Sequence, residues 1–167
     1  MRMEIVHPLE PIYDENSKVL ILGTMPSVKS REKQFYYAHP QNRFWKTLAI
    51  VYEEELPLTN QDRKKFALEH HIALFDVLKS CDIEASSDCS IKNPVPNDLS
   101  EILENSKVEV IFTTGKMAYK LYMKLVYPKT RVEAVCLPST SPANSPKGIE
   151  EKLFKEYGKI REITDKL

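Results

Sequence analysis

Between Gly23 and Trp45 the chain reads GTMPSVKSREKQFYYAHPQNRFW, and this stretch gathers the side chains best suited to chemistry. Asn42 carries an amide that can donate and accept hydrogen bonds in fixed directions. The segment His39-Pro40-Gln41-Asn42-Arg43-Phe44-Trp45 predicts a helix start, with Pro40 at the first helical position. Phe44, Trp45, Leu48, Ala49 and Tyr52 then recur at helical spacing. Asn42 would lie in the first turn, near unpaired backbone N–H groups and the positive end of the helix dipole. Phe35, Tyr36 and Tyr37 lie between the start of the stretch and this helix and offer faces for stacking.

The elements that must position these residues follow from the apolar pattern. Lys18-Val19-Leu20-Ile21-Leu22 is short and β-branched, and predicts a buried strand. Gly23-Thr24-Met25-Pro26-Ser27 is its exit loop; Gly23 permits close backbone approach, and Pro26 fixes φ and ends the strand. Ile72–Val77, Val108–Thr114 and Val132–Leu137 predict three further strands, the second followed by a turn at Gly115. The last runs into Pro138-Ser139-Thr140-Ser141-Pro142-Ala143-Asn144, a stiff polar loop, before a helix opened by Ser145-Pro146. Thr59 to Asp62 carries a helix-start signature, and Asn97 is placed to cap a short helix. Met117, Ala118, Leu121, Tyr122 and Leu125 form a helical stripe that reads as core. Residues 1–17 read as an irregular lead-in, and Cys81–Pro96 as a long polar segment. Strands alternating with helices predict an α/β fold, a three-layer α/β/α sandwich with a central four-stranded parallel sheet in one domain spanning 1–167. Ligands of such sheets bind outside the carboxyl ends of the strands. The loops at 23–27 and 138–144 would flank one cleft if both open on the same edge.

Composition narrows the classes. Lys plus Arg and Asp plus Glu both total 24, which counts against coating nucleic acid by charge alone. Lys29, Arg31, Lys33, Arg43 and Lys46 still give the opening stretch a local positive bias. The 3 cysteines, Cys81, Cys89 and Cys136, support neither a disulfide framework nor a four-thiolate site. His7, His39, His70 and His71 are scattered, so no metal and no cofactor is expected. No apolar run is long enough to span a bilayer and no signal segment is present, so the expected setting is cytoplasmic. No P-loop or dinucleotide fingerprint is present.

GTMPS at 23–27, YYAHPQNRFW at 36–45, FDVLKSC at 75–81, FTTGKMA at 112–118 and STSPAN at 139–144 together resemble the uracil-DNA glycosylase superfamily, in particular its hypoxanthine-DNA glycosylase branch. The resemblance implies a monomeric hydrolase that acts on damaged DNA. It would cut the N-glycosidic bond of a deaminated base, hypoxanthine or uracil, after the base has left the stack. Other branches carry Asp or Asn at the third position of the first loop to place the attacking water; here that residue is Met25, which can do neither. Asn42 is the polar replacement that the resemblance makes catalytic. It further implies that Gly23, Thr24, Met25, Pro26, Ser27, Tyr37 and His39 line the base site. Arg43, Ser139, Thr140, Ser141, Pro142, Ala143 and Asn144 would face the DNA. On the residues alone, Asn42 serves equally well as a helix-start cap; Asp76 is placed to bind water or a loop N–H, and a structural hydrogen bond is its plainer reading. A mismatch-specific uracil glycosylase and a non-catalytic DNA-binding module on the same fold are the alternatives.

Overall fold

The computed structural model describes residues 3–83 and 91–166. Four parallel strands form the central sheet: β2 (Val19–Gly23), β3 (Ile72–Asp76), β6 (Val110–Thr114) and β7 (Ala134–Leu137), in the order β3-β2-β6-β7. Every neighbouring pair is parallel, with Gly23 beside Asp76 at the carboxyl ends of β2 and β3. A strand covered on both faces must be apolar at every position, and β2 is buried throughout. Its side chains alternate between two cores. Val19 and Ile21 join Phe44, Trp45, Leu48, Phe66, Leu153 and Tyr157 on one face. Leu20 and Leu22 join Leu78, Leu99, Ile102, Ala118 and Tyr122 on the other.

The first face is covered by α2 (Phe44–Val51), α3 (Asn60–Glu69) and α7 (Ile149–Thr164). Thr59 caps α3, its hydroxyl accepting from the Asp62 N–H at 3.0 Å. The second face carries α4 (Ser100–Glu104) and α5 (Lys116–Leu121). After α5 the chain makes one wide π-type turn, Tyr122–Val126, and ends in α6 (Tyr127–Thr130). The expected stripe is core at Ala118 and Tyr122, which are buried, and at Leu121 and Leu125, which pack against them. This is the three-layer sandwich that the alternating pattern predicts.

Four expectations need correction. First, the lead-in is not wholly irregular. Met3–Val6 forms β1, and the supposed polar segment contributes strands at both ends: β4 (Leu78–Ile83) and β5 (Lys92–Pro96). These make a second, antiparallel sheet in the order β1-β4-β5. Its edge strand β5 holds Pro94 and Pro96, which a central strand could not accommodate. The middle of that segment, 84–90, lies outside the described residues. Second, Asn97 does not cap α4. Its Nδ2 donates to the Asp76 and Leu78 carbonyls at 2.9 and 3.0 Å, and Asp98 accepts from the Ser100 N–H instead. Third, α2 starts at Phe44, leaving Pro40 and Asn42 before the helix. Fourth, α7 starts at Ile149, after Gly148 in the left-handed region with φ of 79°.

Candidate active site

A cavity of about 720 Å³ opens at the carboxyl end of the parallel sheet. The two loops anticipated as neighbours do converge on it. Residues 23–27 form one wall, 139–144 another, and Tyr37, His39 and Asn42 come in from the segment before α2. Of the residues expected to line the base site or face the DNA, all but Arg43 line it; Phe35, Lys29, Lys33 and Lys46 do not.

Asn42 sits in a tight turn, with its N–H donating to the His39 carbonyl at 2.9 Å. Its side-chain Oδ1 accepts from the Phe44 N–H at 2.9 Å, so it satisfies the first N–H of α2 from just before the N-cap position, which Arg43 holds. The amide has a second end, and the capping and chemical readings are therefore compatible. With Oδ1 occupied, Nδ2 has no protein partner among the described residues and is the end left for a ligand. His39 is polarised in the same way. Its Nδ1 accepts from the Gln41 N–H at 3.0 Å, which leaves Nε2 to carry the proton and donate.

Tyr37 is held in an uncommon backbone conformation, with φ of 52°. Its ring stacks on Phe44 at 3.8 Å and an interplanar angle of 11°, and its hydroxyl lies 3.3 Å from Thr114 Oγ1. Burial, then the nearby charge of Asp76, pushes the Tyr37 hydroxyl well above its ordinary pKa. It is therefore a neutral phenol. Ser27 spends its side chain on the start of α1 (Val28–Lys33), accepting from the Ser30 N–H at 3.2 Å.

The 139–144 loop is knit from within. Asn144 Nδ2 donates to the Ser139 carbonyl at 2.9 Å, Ser139 Oγ accepts from the Ser141 N–H, and Ser141 Oγ accepts from the Ala143 N–H. Tyr157 on α7 donates to the Pro138 carbonyl at 2.8 Å and fixes the root of the loop. Thr140 is buried, which leaves Pro142 and Ala143 as the accessible, apolar tip.

Arg43 completes the clamp. Its backbone N–H donates to the Thr140 carbonyl at 3.0 Å. Its guanidinium donates to the carbonyls of Ser141 (3.3 Å) and Asn144 (3.2 Å) and to Ser145 Oγ (2.9 Å). Other members of the positive patch are likewise engaged. Lys29 pairs with Glu32, and Arg31 donates to the Pro26 carbonyl at 3.3 Å. Lys33 and Lys46 are exposed.

Sequence reasoning left Thr114 unassigned and read Asp76 as a structural hydrogen-bonding group. Thr114, the last residue of β6, and Asp76, the last of β3, both line the cavity. The signal available was positional, since each stands at the carboxyl end of a strand in a parallel sheet. Asp76 is buried, with Oδ2 2.7 Å from His7 Nε2. Among the described residues no three His, Cys, Asp or Glu side chains group as a metal site would require. No helix among them is long and apolar enough to cross a membrane.

Fold and site define a class: a parallel α/β sheet covered on both faces, with a cavity at its strand ends of the size that takes a small ligand or a single base. The family model of the uracil DNA glycosylase superfamily matches residues 10–159, and the chain belongs to that superfamily. It is 36% identical over 137 residues to a hypoxanthine DNA glycosylase of Methanosarcina acetivorans, covering 80% of this chain and 84% of the relative. It is 32% identical over 138 residues to a hypoxanthine DNA glycosylase of Methanosarcina barkeri, covering 80% and 85%. The solution NMR structure of a candidate uracil DNA glycosylase from Methanosarcina acetivorans superposes with a TM-score of 0.78 at 30% identity, over 95% of this chain and 99% of the other.

Proposed function

We propose that this protein is a monofunctional DNA glycosylase that excises hypoxanthine from deoxyinosine in DNA. The observation that carries the reading is the Asn42 amide, with its oxygen locked on the Phe44 N–H and its nitrogen left at the wall of a base-sized cavity. Two relatives that share a third of their residues with this chain bear the name hypoxanthine DNA glycosylase, which supports the substrate.

The target base must leave the duplex stack, at a cost of a few kcal/mol that is smallest for a weakly paired base. The apolar tip at Pro142 and Ala143 is suited to enter the space it vacates. Breaking the C1′–N9 bond sends the electron pair to the base and leaves positive charge on the sugar. Fixed donors at the cavity wall then stabilise the charge developing on the base and need no reorganisation as the bond breaks. Asn42 Nδ2 and His39 Nε2 are such donors. A water held by its oxygen on Asn42 Nδ2 attacks C1′ and its proton passes to the departing base anion, which gives an abasic site and the neutral free base. Met25 has no group that could activate this water, so positioning by Asn42 replaces a carboxylate there. A single chain closes the cavity with its own loops, which supports one domain acting as a monomer.

The test uses labelled duplexes carrying one deoxyinosine, deoxyuridine or unmodified base, with heating in alkali to cut abasic sites. Wild-type protein is expected to cleave at deoxyinosine, and Asn42→Ala to lower the rate by about 10²–10³. Cleavage confined to deoxyuridine would move the activity to uracil. Binding without cleavage of any duplex would make the chain a binding module.

A further inference from the structure

The second face of the sheet carries a charge pattern that the scheme above does not use. Between Glu109 and Glu133 the chain holds Lys116, Lys120, Lys124, Lys129 and Arg131, and no acid. The chain as a whole is electrically balanced, so this is a local excess of positive charge. All five cations are exposed, on α5, the π-type turn, α6 and the residue that ends it. Among the described residues, no carboxylate lies within ion-pair distance of any of them. Asp98 is the acid whose field Lys129 reaches, and its Oδ1 is occupied by the Ser100 N–H and hydroxyl at 2.9 and 2.6 Å. The opposite side of the same helical run is core, with Ala118, Tyr122 and Val126 buried.

The π-type turn sets the cations in a line. Along an α-helix, four residues advance about 6 Å and overshoot a full turn by about 40°, so a row at every fourth position drifts around the axis. The turn at Tyr122–Val126 takes more residues per revolution, with the Tyr127 N–H reaching back five positions to the Tyr122 carbonyl. Lys124 therefore swings back toward the line of Lys116 and Lys120. Tyr119, Met123 and Tyr127 repeat the same spacing and are half-buried, and the Arg131 guanidinium lies 5.8 Å from the centre of the Tyr127 ring. The row opens beside the DNA-facing loop, since a Cβ on Gly115 would lie 3.3 Å from Ser139 Cβ. It then leads away from the cavity, because the run from α5 to α6 returns the chain from the carboxyl end of β6 to the start of the parallel strand β7. From Lys116 to Lys129 it spans about 20 Å.

We propose that this row is a second DNA-binding face, which takes the phosphate backbone of a duplex other than the one seated at the cavity. The proposal goes beyond the glycosylase reading, because it requires no damaged base and no excision. A polyanion of regular spacing is what such a row fits. Phosphates of one strand repeat about every 3.4 Å along the duplex axis, so every second one recurs at about 6.8 Å, close to the about 6 Å between successive lysines. Contacts of this kind read charge and leave base sequence unread. A straight duplex across the cavity mouth meets the row only at its Lys116 end. Lys120, Lys124 and Lys129 are left for a second segment. A protein that holds two segments at once can pass to the second before it leaves the first, which shortens its search through undamaged DNA.

The experiment fills the cavity face first, with one equivalent of a short duplex that carries a stable abasic-site analogue. A labelled, unmodified duplex is then titrated at about 50 and about 200 mM salt. Wild-type protein should bind this second duplex, and with five phosphates neutralised its affinity should fall about 500-fold between the two salts. The combined variant Lys120→Gln, Lys124→Gln, Lys129→Gln keeps two of the cations. It should bind the second duplex more weakly at low salt and lose only about 12-fold over the same interval. Glutamine is a good helix former and the sites are exposed, so the variant should fold, and its single-turnover excision from a deoxyinosine duplex at saturating protein should match wild type. Release of labelled abasic-analogue duplex should quicken as unlabelled duplex is added to wild type, and should not in the variant. A wild-type protein that takes no second duplex would overturn the proposal. So would a variant with unaltered affinity and salt dependence. A row that takes a polyglutamate peptide and no DNA would also overturn it, in favour of an acidic protein partner. Each of these leaves the glycosylase reading intact. Wild-type protein that holds two duplexes but releases no base would overturn the glycosylase reading and uphold the second face.

Discussion

Arg43 separates two accounts of the loop that faces the DNA. As an exposed cation beside Asn42 it would serve as a phosphate contact. In the fold its guanidinium makes three hydrogen bonds, to the Ser141 and Asn144 carbonyls and to Ser145 Oγ, and its own N–H holds the Thr140 carbonyl. Arg43→Gln removes the guanidinium contacts and leaves the backbone one. Hydrogen bonds to a charged donor contribute roughly 1.5–3 kcal/mol each when buried, but this side chain is half exposed, and solvent discounts them to about 2 kcal/mol for the set. If the clamped loop is the competent form, loosening it by that amount lowers the excision rate by about 30-fold, at roughly 1.4 kcal/mol per tenfold. Binding should respond differently. A lost phosphate contact reduces the slope of log affinity against log salt by about 0.9, whereas a lost internal clamp leaves it unchanged. The assay pairs single-turnover excision at saturating protein with titrations of an abasic-analogue duplex at several salt concentrations. A slope smaller by about one unit, with excision at saturation unaltered, would refute the clamp and restore the phosphate contact.

Three further outcomes follow from the geometry. Gly23→Ala should cost about 1–3 kcal/mol in denaturant unfolding, because its Cβ would sit 2.7 Å from an Asp76 oxygen that His7 prevents from retreating; excision should fall with it. Phe44→Ala should cost about 3–5 kcal/mol by the same measurement, since Phe44 is fully buried and supports the Tyr37 ring. Alkaline titration should be cooperative. Burial raises Tyr36, Tyr37 and Tyr157 and pushes Tyr52 up to about 12, from an ordinary 10.0. The unfolded chain therefore loses these protons first. Stability is intact below pH 10 and falls above it, by about 1.4 kcal/mol per pH unit for each such phenol until its folded pKa is passed. Phenolate absorbance from these residues should appear together with loss of ellipticity; a gradual, independent titration would contradict their burial.

The amino-acid order by itself determined the central sheet. Apolar runs such as Val19–Leu22 and Ile72–Leu74 have no polar side to expose, so they must lie between two layers, and Gly23-Thr24-Met25-Pro26 cannot prolong the strand before it. The order also marked the 23–27 and 139–144 loops and Asn42, through residue types and their spacing. Tertiary structure decided the rest. The β1-β4-β5 sheet was illegible because its strands are short and half exposed, β5 is interrupted by proline, and the β1–β4 pairing joins residues far apart in sequence. The hydrogen bonds of Arg43 and Asn97 were not legible because a polar side chain takes the nearest unsatisfied partner in space, and that partner was a carbonyl on another element. His7 and Asp76 offer no shared motif, since 69 positions separate them. Only closure of the fold brings an imidazole and a carboxylate to 2.7 Å beneath the cavity, with one oxygen held and the other left over Gly23.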